Sequence, residues 1–416
     1  MKQLFSILTI YSSLLLPINS SMASELTVHE WGTFTSFMGS NGELIEGMHH
    51  EDEALPSFVH GLKNEASTNP TNPNPGGPRP CRPRPGTKVD CFTLNNLIQT
   101  HSVIFPEAPI SSGITQKMET PVIYFYGNDG QKVNVEINFP QGIITQYYPE
   151  ASFSFPKFKE ARELKDSRFI FDVTLGSLKD PGIPGTPAQS IWNPARQVPN
   201  ANFIKAHNGE KEKFIFYRGV GNFNSPLKVS SNENNILSLR NLSRSPISMA
   251  IILNSDGVKG AIKIVKNILS QVNVTLPIIE TGMSFNQYVS KTKSTLVSAL
   301  VENGLFQDEA VAMVNTWEKS YFNTPGIRVL YIVPNEDAES ILPLTVSPRP
   351  SELKRVLVGR IEVMTKNEEN QFLELLKNSK TINREAVFGR FYESKLRRLE
   401  QIAPFELKSL IKNLYK

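Results

Sequence analysis

The chain contains few of the short motifs that identify a reaction. It has two cysteines without C-x-x-C spacing, and it has neither a G-x-S-x-G elbow nor a P-loop. Asn224 stands where a dinucleotide-binding loop that begins at Gly219 would need its third glycine. The usual signatures of thiol redox proteins, of serine hydrolases with a nucleophile elbow and of nucleotide-binding proteins are therefore missing.

The chain also has no strong net charge of either sign. The 44 Lys and Arg residues stand against 40 Asp and Glu residues. So small a bias favours neither nucleic acid nor an anionic membrane as a partner. Beyond the N-terminus no apolar run approaches the roughly 20 residues that a transmembrane helix needs. We therefore expect no transmembrane segment after removal of the leader.

The N-terminus has the pattern of an export signal. Lys2 supplies a positive charge, the run Leu4–Leu16 is apolar, and Pro17 ends any helix there. Ser21-Met22-Ala23 places small residues where a signal peptidase cuts. We predict a signal peptide over residues 1–23 and a mature protein in the periplasm or outside the cell.

The two cysteines accompany a segment of low complexity. Seven prolines lie between Pro70 and Pro85 and alternate with Asn, Gly and Arg, which disfavours both helix and sheet. We predict a surface insertion over residues 64–90. In an oxidising compartment Cys81 and Cys91 are expected to form a local disulfide.

The run Val28–Phe37 is the richest in chemically capable side chains. Its β-branched and aromatic residues predict a strand. Alternation along that strand places His29 and Trp31 on one face and Glu30 on the other. His29 and Glu30 would then point apart and could not easily share a metal ion.

Histidines cluster early in the chain. Five of the six, His29, His49, His50, His60 and His101, precede residue 102. The zincin pattern H-E-x-x-H fails because its last position is a threonine and the segment reads as a strand. Imidazoles from different strands can still converge on a divalent metal ion. A metal site built from His29, His49 or His50, and His60 is thus one hypothesis, and a metal-dependent hydrolase is the function it implies.

Strand patterns dominate up to about residue 275. The runs 121–126 and 132–139, joined by Gly127-Asn128-Asp129-Gly130, predict a hairpin with one solvated face. Further strands are predicted at 142–148, 168–175, 213–218, 235–240, 247–253 and 258–265. Strands without interleaved helices predict an antiparallel, sandwich-like β-rich domain over residues 24–275.

The periodicity changes after residue 280. Helices are predicted from Ser284 to Glu302 and at 308–321, 367–376, 384–402 and 405–414, with strands at 328–333 and 353–364. We therefore expect an α+β C-terminal domain over residues 276–416. The whole chain is predicted to have an α+β fold.

Several spaced blocks carry a resemblance to a known family. They are His29–Thr35, Leu55–His60, Lys117–Tyr126, Phe139–Ile144, Phe216–Gly221, Arg328–Pro334 and Val358–Val363. With these blocks the chain resembles a family of uncharacterised secreted bacterial proteins that share an opening His-Glu-Trp-Gly-Thr-Phe-Thr. The resemblance implies a shared fold and compartment, and it implies neither an activity nor catalytic residues.

Ligand binding is the function that we favour from the sequence. Trp31 and Trp192 offer aromatic surfaces for stacking, and Arg218 can hold an anionic ligand or a carboxylate partner. Glycoside cleavage by a pair of carboxylates stays an open alternative, with Glu30, Glu119 and Glu136 as the candidate residues. We expect a protein that binds a ligand or an envelope polymer, with the metal-dependent hydrolase as the alternative.

Overall fold

The computed structural model describes residues 26–48, 55–61, 113–156, 163–379 and 382–415. The predicted export signal, the proline-rich insertion, the Cys81–Cys91 disulfide and the roles of His49 and His50 lie outside these residues. The described residues form an α+β fold with a strand-rich N-terminal part and most of its helices near the C-terminus. The predicted fold class is confirmed.

The strands and helices follow one another in this order. The strands are β1 (Thr27–Met38), β2 (His60–Gly61), β3 (Gln116–Tyr126), β4 (Lys132–Phe139), β5 (Gly142–Tyr148), β6 (Ser152–Ser154), β7 (Ser167–Leu175), β8 (Ile204–Ala206), β9 (Lys211–Glu212), β10 (Ile215–Gly221), β11 (Leu227–Ser231), β12 (Ile236–Asn241), β13 (Ile247–Ser255), β14 (Lys259–Ile268), β15 (Gln271–Thr275), β16 (Met283–Ser284), β17 (Gly326–Ile332), β18 (Leu344–Ser347) and β19 (Glu352–Val363). The α-helices are α1 (Trp192–Ala195), α2 (Phe285–Glu302), α3 (Gln307–Trp317), α4 (Asn335–Ile341), α5 (Lys366–Asn378), α6 (Arg384–Phe388), α7 (Tyr392–Ile402) and α8 (Phe405–Tyr415). A π-helix spans Glu318–Phe322 and a 3₁₀ helix spans Gly389–Phe391.

The described strands form three sheets. The largest has ten strands in the order β16-β14-β13-β17-β19-β1-β3-β10-β5-β2. A second contains β18, β4, β7, β8 and β9, with β6 beside β7, and a third contains β11, β12 and β15. Strands from both sides of residue 275 join the largest sheet, so the two parts of the chain share it.

The strand β1 lies inside the largest sheet. It pairs in parallel with β19 and antiparallel with β3. Every residue of β1 after Thr27 is buried, because both of its faces are covered. On one face Trp31 joins a cluster with residues of α2 and α3, while on the other Val28 and Phe34 join a separate cluster. The alternation predicted for this strand is confirmed.

One predicted hairpin is wrong. The strands β3 and β4 do not pair with each other: β3 pairs with β1 and β10, whereas β4 pairs with β7 and β18. The turn at 127–130 carries the chain from one sheet into another. Alternation on each strand still exists, but it reports which faces are buried and not which strand is the neighbour. The hairpin between β13 and β14 is present.

A second correction concerns the helix predicted over 384–402. It is interrupted at Gly389, whose φ of 67° is incompatible with a continuing right-handed helix. The 3₁₀ helix follows there, and α7 resumes at Tyr392. This break positions Arg390 toward the largest sheet. The predicted helices at 284–302 and 308–321 correspond to α2 and to α3 with its π-helical extension.

Short strands escaped prediction. They are β2, β6, β8, β9, β11, β15, β16 and β18, most of them too short for a visible period. Within the part of the chain that the structure describes, no helix is both long and apolar enough to cross a membrane.

Candidate functional site

Three side chains on one face of β1 reach toward the helices that cover it. His29 Nδ1 lies 2.7 Å from Glu309 Oε2 on α3. The Trp31 ring packs edge-on against a tryptophan of α3, with ring centroids 6.3 Å apart. Farther along the strand, Thr35 Oγ1 donates a 2.8 Å hydrogen bond to Glu119. This face therefore connects the central strand with a carboxylate on β3.

The opposite face holds a separate ion pair. Glu30, fully buried, accepts a hydrogen bond of 2.5 Å from Arg355 Nε and another from the Tyr217 hydroxyl. Arg355 also bonds Glu339 at 2.8 Å. Glu30 thus has its own partners and lies on the other side of the sheet from His29 and Glu119.

A β-bulge lies where β3 passes β1. Trp31 pairs with Val122 and Thr33 pairs with Glu119, so Gly32 alone faces two residues of β3. One of those two, Thr120, has a positive φ of 46°. A positive φ is uncommon for a β-branched residue and marks local strain, which concentrates at functional sites. Bulges also redirect neighbouring side chains.

Beside this bulge the structure contains a small polar cavity of about 30 Å³. The described residues that line it come from β3, β10, α3, the π-helix, the 3₁₀ helix and the segment before α1. They are Lys117, Glu119, Thr120, Ile191, Arg218, Thr316, Trp317, Ser320, Tyr321 and Arg390. Three cationic side chains and one carboxylate therefore share one small space.

Glu119 is the centre of the polar contacts around the cavity. Its Oε1 lies 3.0 Å from Lys117 Nζ and 3.0 Å from Arg390 Nη2. Its Oε2 accepts hydrogen bonds from Thr35 and from the Tyr321 hydroxyl. Four donors from four separate elements thus converge on one buried carboxylate.

These contacts decide the ionisation of Glu119. Burial opposes the charged form, but the charges of Lys117, Arg390 and Arg360 and the hydrogen bond from Tyr321 hold the pKa of Glu119 well below its ordinary value. Burial, followed by the nearby Glu119 charge, raises the pKa of Tyr321. The carboxylate is therefore ionised and the phenol neutral near neutral pH.

A second layer of charge lies behind the cavity. Arg360, fully buried, stacks over the Tyr321 ring at 4.1 Å from its centroid. Its Nη2 lies 2.6 Å from Glu362, which also lies 3.1 Å from Arg328 Nε. Burial opposes ionisation of Glu362, yet the two arginines lower its pKa. Cationic side chains outnumber carboxylates throughout this described network.

The three ligand-binding residues suggested by the sequence differ in their position relative to the cavity. Arg218 lies on the cavity, is 5% exposed, and donates a hydrogen bond from Nε to Gln146. Trp31 is fully buried, and Trp192 is buried with its indole N–H donating to Glu212 at 2.8 Å. Neither tryptophan presents a ring face to solvent, so Arg218 is the one that the structure brings to a cavity.

The structure does not bring His29 and His60 together. They lie on β1 and β2, which are four strand spacings apart in the sheet, or about 19 Å at ~4.8 Å per spacing. His60 Nε2 bonds Glu210 at 2.9 Å. The described residues contain no group of three or more His, Cys, Asp or Glu side chains able to hold a metal ion. Because His49 and His50 lie outside these residues, the metal hypothesis stays untested.

The three carboxylates considered for glycoside cleavage do not lie close together either. Glu30 and Glu119 lie on opposite faces of the largest sheet, and Glu136 lies on a strand of another sheet, where it bonds Arg168. The sequence alone does not single out the cationic side chains of Lys117 and Arg390. The pattern Lys117-x-Glu119 does place both residues on one strand face, but nothing local links either of them to residue 390.

Comparison with known proteins adds no assignment. No protein-family model matches the chain, and no curated protein matches it.

Proposed function

We propose that the chain is an exported binding protein that holds a small anionic group in the cavity between Lys117, Arg218 and Arg390. The observation that carries the proposal is the convergence of these three cations, from three distant parts of the sequence, on one small space. Buried cations are costly unless they meet anions or hydrogen-bond acceptors. Glu119 pairs with two of these cations, and three cations beside one carboxylate leave the lining with an excess of positive charge, which favours an anion there.

The remaining lining suits the same ligand. The side chains of Thr120 and Ser320 supply hydroxyl groups that can donate to anionic oxygens, whereas the Thr316 hydroxyl donates to the Ala312 carbonyl. Arginine presents several N–H donors in a plane and pairs with carboxylate, sulfate or phosphate through two bonds at once. Lysine adds a compact charge. The ligand class is thus an oxyanion or a molecule that carries one.

Binding fits this geometry better than catalysis. Glu119 is the carboxylate beside the cavity, and its pKa is held well below the ordinary value. A general acid or base works best when its pKa lies near the working pH. Glu119 also receives four donors, which occupy its lone pairs. It positions cations rather than transferring protons.

Given the export signal predicted over residues 1–23, we expect this binding site in the cell envelope or outside the cell. An anionic ligand there is either a small solute or part of an envelope polymer. The metal-dependent hydrolase stays a second hypothesis, which no contact among the described residues favours.

Thermal unfolding of the purified mature protein in a series of sodium salts tests the proposal. At equal ionic strength we expect sulfate, phosphate or glucuronate to raise the unfolding temperature above its value in chloride, because a ligand that binds only the folded state stabilises it. The Arg390→Gln variant should lose that increase. An equal increase in this variant and the wild type would place any bound anion elsewhere.

A further inference from the structure

The cation-lined cavity lies next to a larger cleft. Ile191 and Thr316 line both spaces, so the two are adjacent. The cleft has a volume of about 430 Å³ and lies between the segment 188–197 and the end of α3 with its π-helical extension. Sites for small molecules typically measure about 300–1,000 Å³, so the cleft has the size of a ligand site.

Side-chain amides are the main polar groups of this cleft. The four that are exposed are Gln189, Gln197, Asn315 and Asn323. Within the described part of the chain, the structure records no hydrogen bond from their side chains. Asn193 differs, because it bonds Thr186 and the carbonyls of Pro187 and Ala188 and thereby fixes the loop. The cleft thus combines a fixed loop with unengaged amides.

An amide side chain both donates and accepts hydrogen bonds, as a sugar hydroxyl does. Amides on opposite walls of a cleft can therefore engage successive hydroxyls of a sugar ring. A peptide in extended form is more often recognised through an exposed strand edge. Here the walls are a helix and a loop. The amide chemistry favours a carbohydrate over a peptide.

We infer that the ligand is an acidic saccharide, with its anionic group beside Lys117, Arg218 and Arg390 and the adjoining sugar in the amide-lined cleft. The inference rests on the proposed anion-binding function and adds the class of the molecule that carries the anion. The small cavity accommodates only the charged group, whereas the cleft accommodates the ring attached to it.

Four probes separate the parts of this inference in a calorimetric titration of the mature protein. They are free D-glucuronate, a disaccharide that ends in glucuronic acid, the same disaccharide with its carboxylate reduced to an alcohol, and the tripeptide Ala-Ala-Ala with a free carboxyl end. We expect the acidic disaccharide to bind about tenfold more tightly than glucuronate, as one or two added net hydrogen bonds would produce. The neutral disaccharide and the tripeptide should bind more weakly than glucuronate.

A double variant locates the added affinity. In Gln189→Ala/Asn315→Ala, the advantage of the acidic disaccharide over glucuronate should fall from about tenfold to within about twofold. Both positions are exposed, so the substitutions should not affect folding. The exposed Asn370 offers a matched control, because the structure records no hydrogen bond from its side chain to the described residues. It does not line the cleft, so Asn370→Ala should keep the full advantage.

The outcomes distinguish the two claims. If glucuronate and the acidic disaccharide bind equally well, the acidic saccharide is wrong while anion binding stands. Tighter binding of the neutral disaccharide or of the tripeptide overturns the inference as well. If none of the anionic probes binds, anion binding fails and the inference fails with it.

Discussion

The hydroxyl of Thr35 donates a 2.8 Å hydrogen bond to the carboxylate of Glu119, 84 positions later in the chain. Through this bond the central strand β1 contacts a carboxylate that lines the cation-lined cavity. Glu119 in turn holds Lys117 and Arg390 at 3.0 Å each. The strand that organises the largest sheet thus also positions the charged groups of the site.

Removal of the Glu119 charge should destabilise the protein strongly. Glu119→Gln leaves Lys117 and Arg390 without their shared carboxylate. Removal of one partner of a buried ion pair typically lowers the free energy of unfolding by about 3–5 kcal/mol. Denaturant unfolding measures the loss. The control is Glu136→Gln, which removes the partner of the half-exposed Arg168 and should cost far less. Equal losses in the two variants would contradict the role given to Glu119.

Stability should fall in acid because of the same group. Glu119 and Glu362 both have a pKa below the ordinary value of 4.5 in the folded protein. Below that pH the unfolded chain binds protons that the folded protein does not, so stability present above pH 4.5 is lost as the pH falls through the folded pKa values.

Unfolding free energies measured at several pH values between about 6 and about 3 test this dependence. Glu119→Gln should show a shallower decline with falling pH than the wild type, because it removes one of the carboxyl groups whose pKa is lowered in the folded protein. A decline of the same steepness in both proteins would mean that Glu119 keeps an ordinary pKa.

The glycine of the His-Glu-Trp-Gly-Thr motif should resist substitution. A Cβ on Gly32 would lie 2.9 Å from Cα of Pro121, in the bulge of β3. Gly32→Ala should lower the free energy of unfolding by about 1–3 kcal/mol, the usual cost of overpacking. Gly185→Ala is the matched control, since no atom lies within 4 Å of its Cβ position. A Gly32→Ala protein as stable as this control would show that the bulge can move aside.

We expect His29 to stabilise the fold through its buried contacts and not to bind a metal ion. Its Nδ1 contacts Glu309, so His29→Ala removes a buried hydrogen bond at a cost of about 1–3 kcal/mol. The exposed His207→Ala should be close to neutral. Elemental analysis of both variants and the wild type completes the test. One equivalent of metal in the wild type that disappears in His29→Ala would instead support the metal-dependent hydrolase.

The sequence predicts the local structure of this chain better than its pairing. Alternation around Trp31 and the helix start at Ser284 are local patterns, and both match the structure. The β3–β4 hairpin failed because the period-two pattern says nothing about which strand lies alongside. The parallel pairing of β1 with β19 joins residues more than 320 positions apart, and no short-range pattern encodes it.

The candidate site was predictable only in part. Arg218 stood out because it is a cation at the end of an apolar strand beside a glycine. Lys117 and Glu119 shared one strand face and could have been paired. Arg390 could not have been placed, because its approach depends on the helix break at Gly389 and on packing against the sheet. Residues that converge from distant segments have no characteristic spacing in the sequence.

Calorimetric titration with D-glucuronate, under matched salt conditions, tests directly whether the cavity binds an anion. We expect saturable binding by the wild type and by Arg168→Gln, an exposed control. In Arg390→Gln we expect binding to weaken by about tenfold to a hundredfold, as for the loss of a charge-assisted hydrogen bond. Binding of equal strength in Arg390→Gln and the wild type, or no binding by any of the three proteins, would contradict anion binding by the cavity.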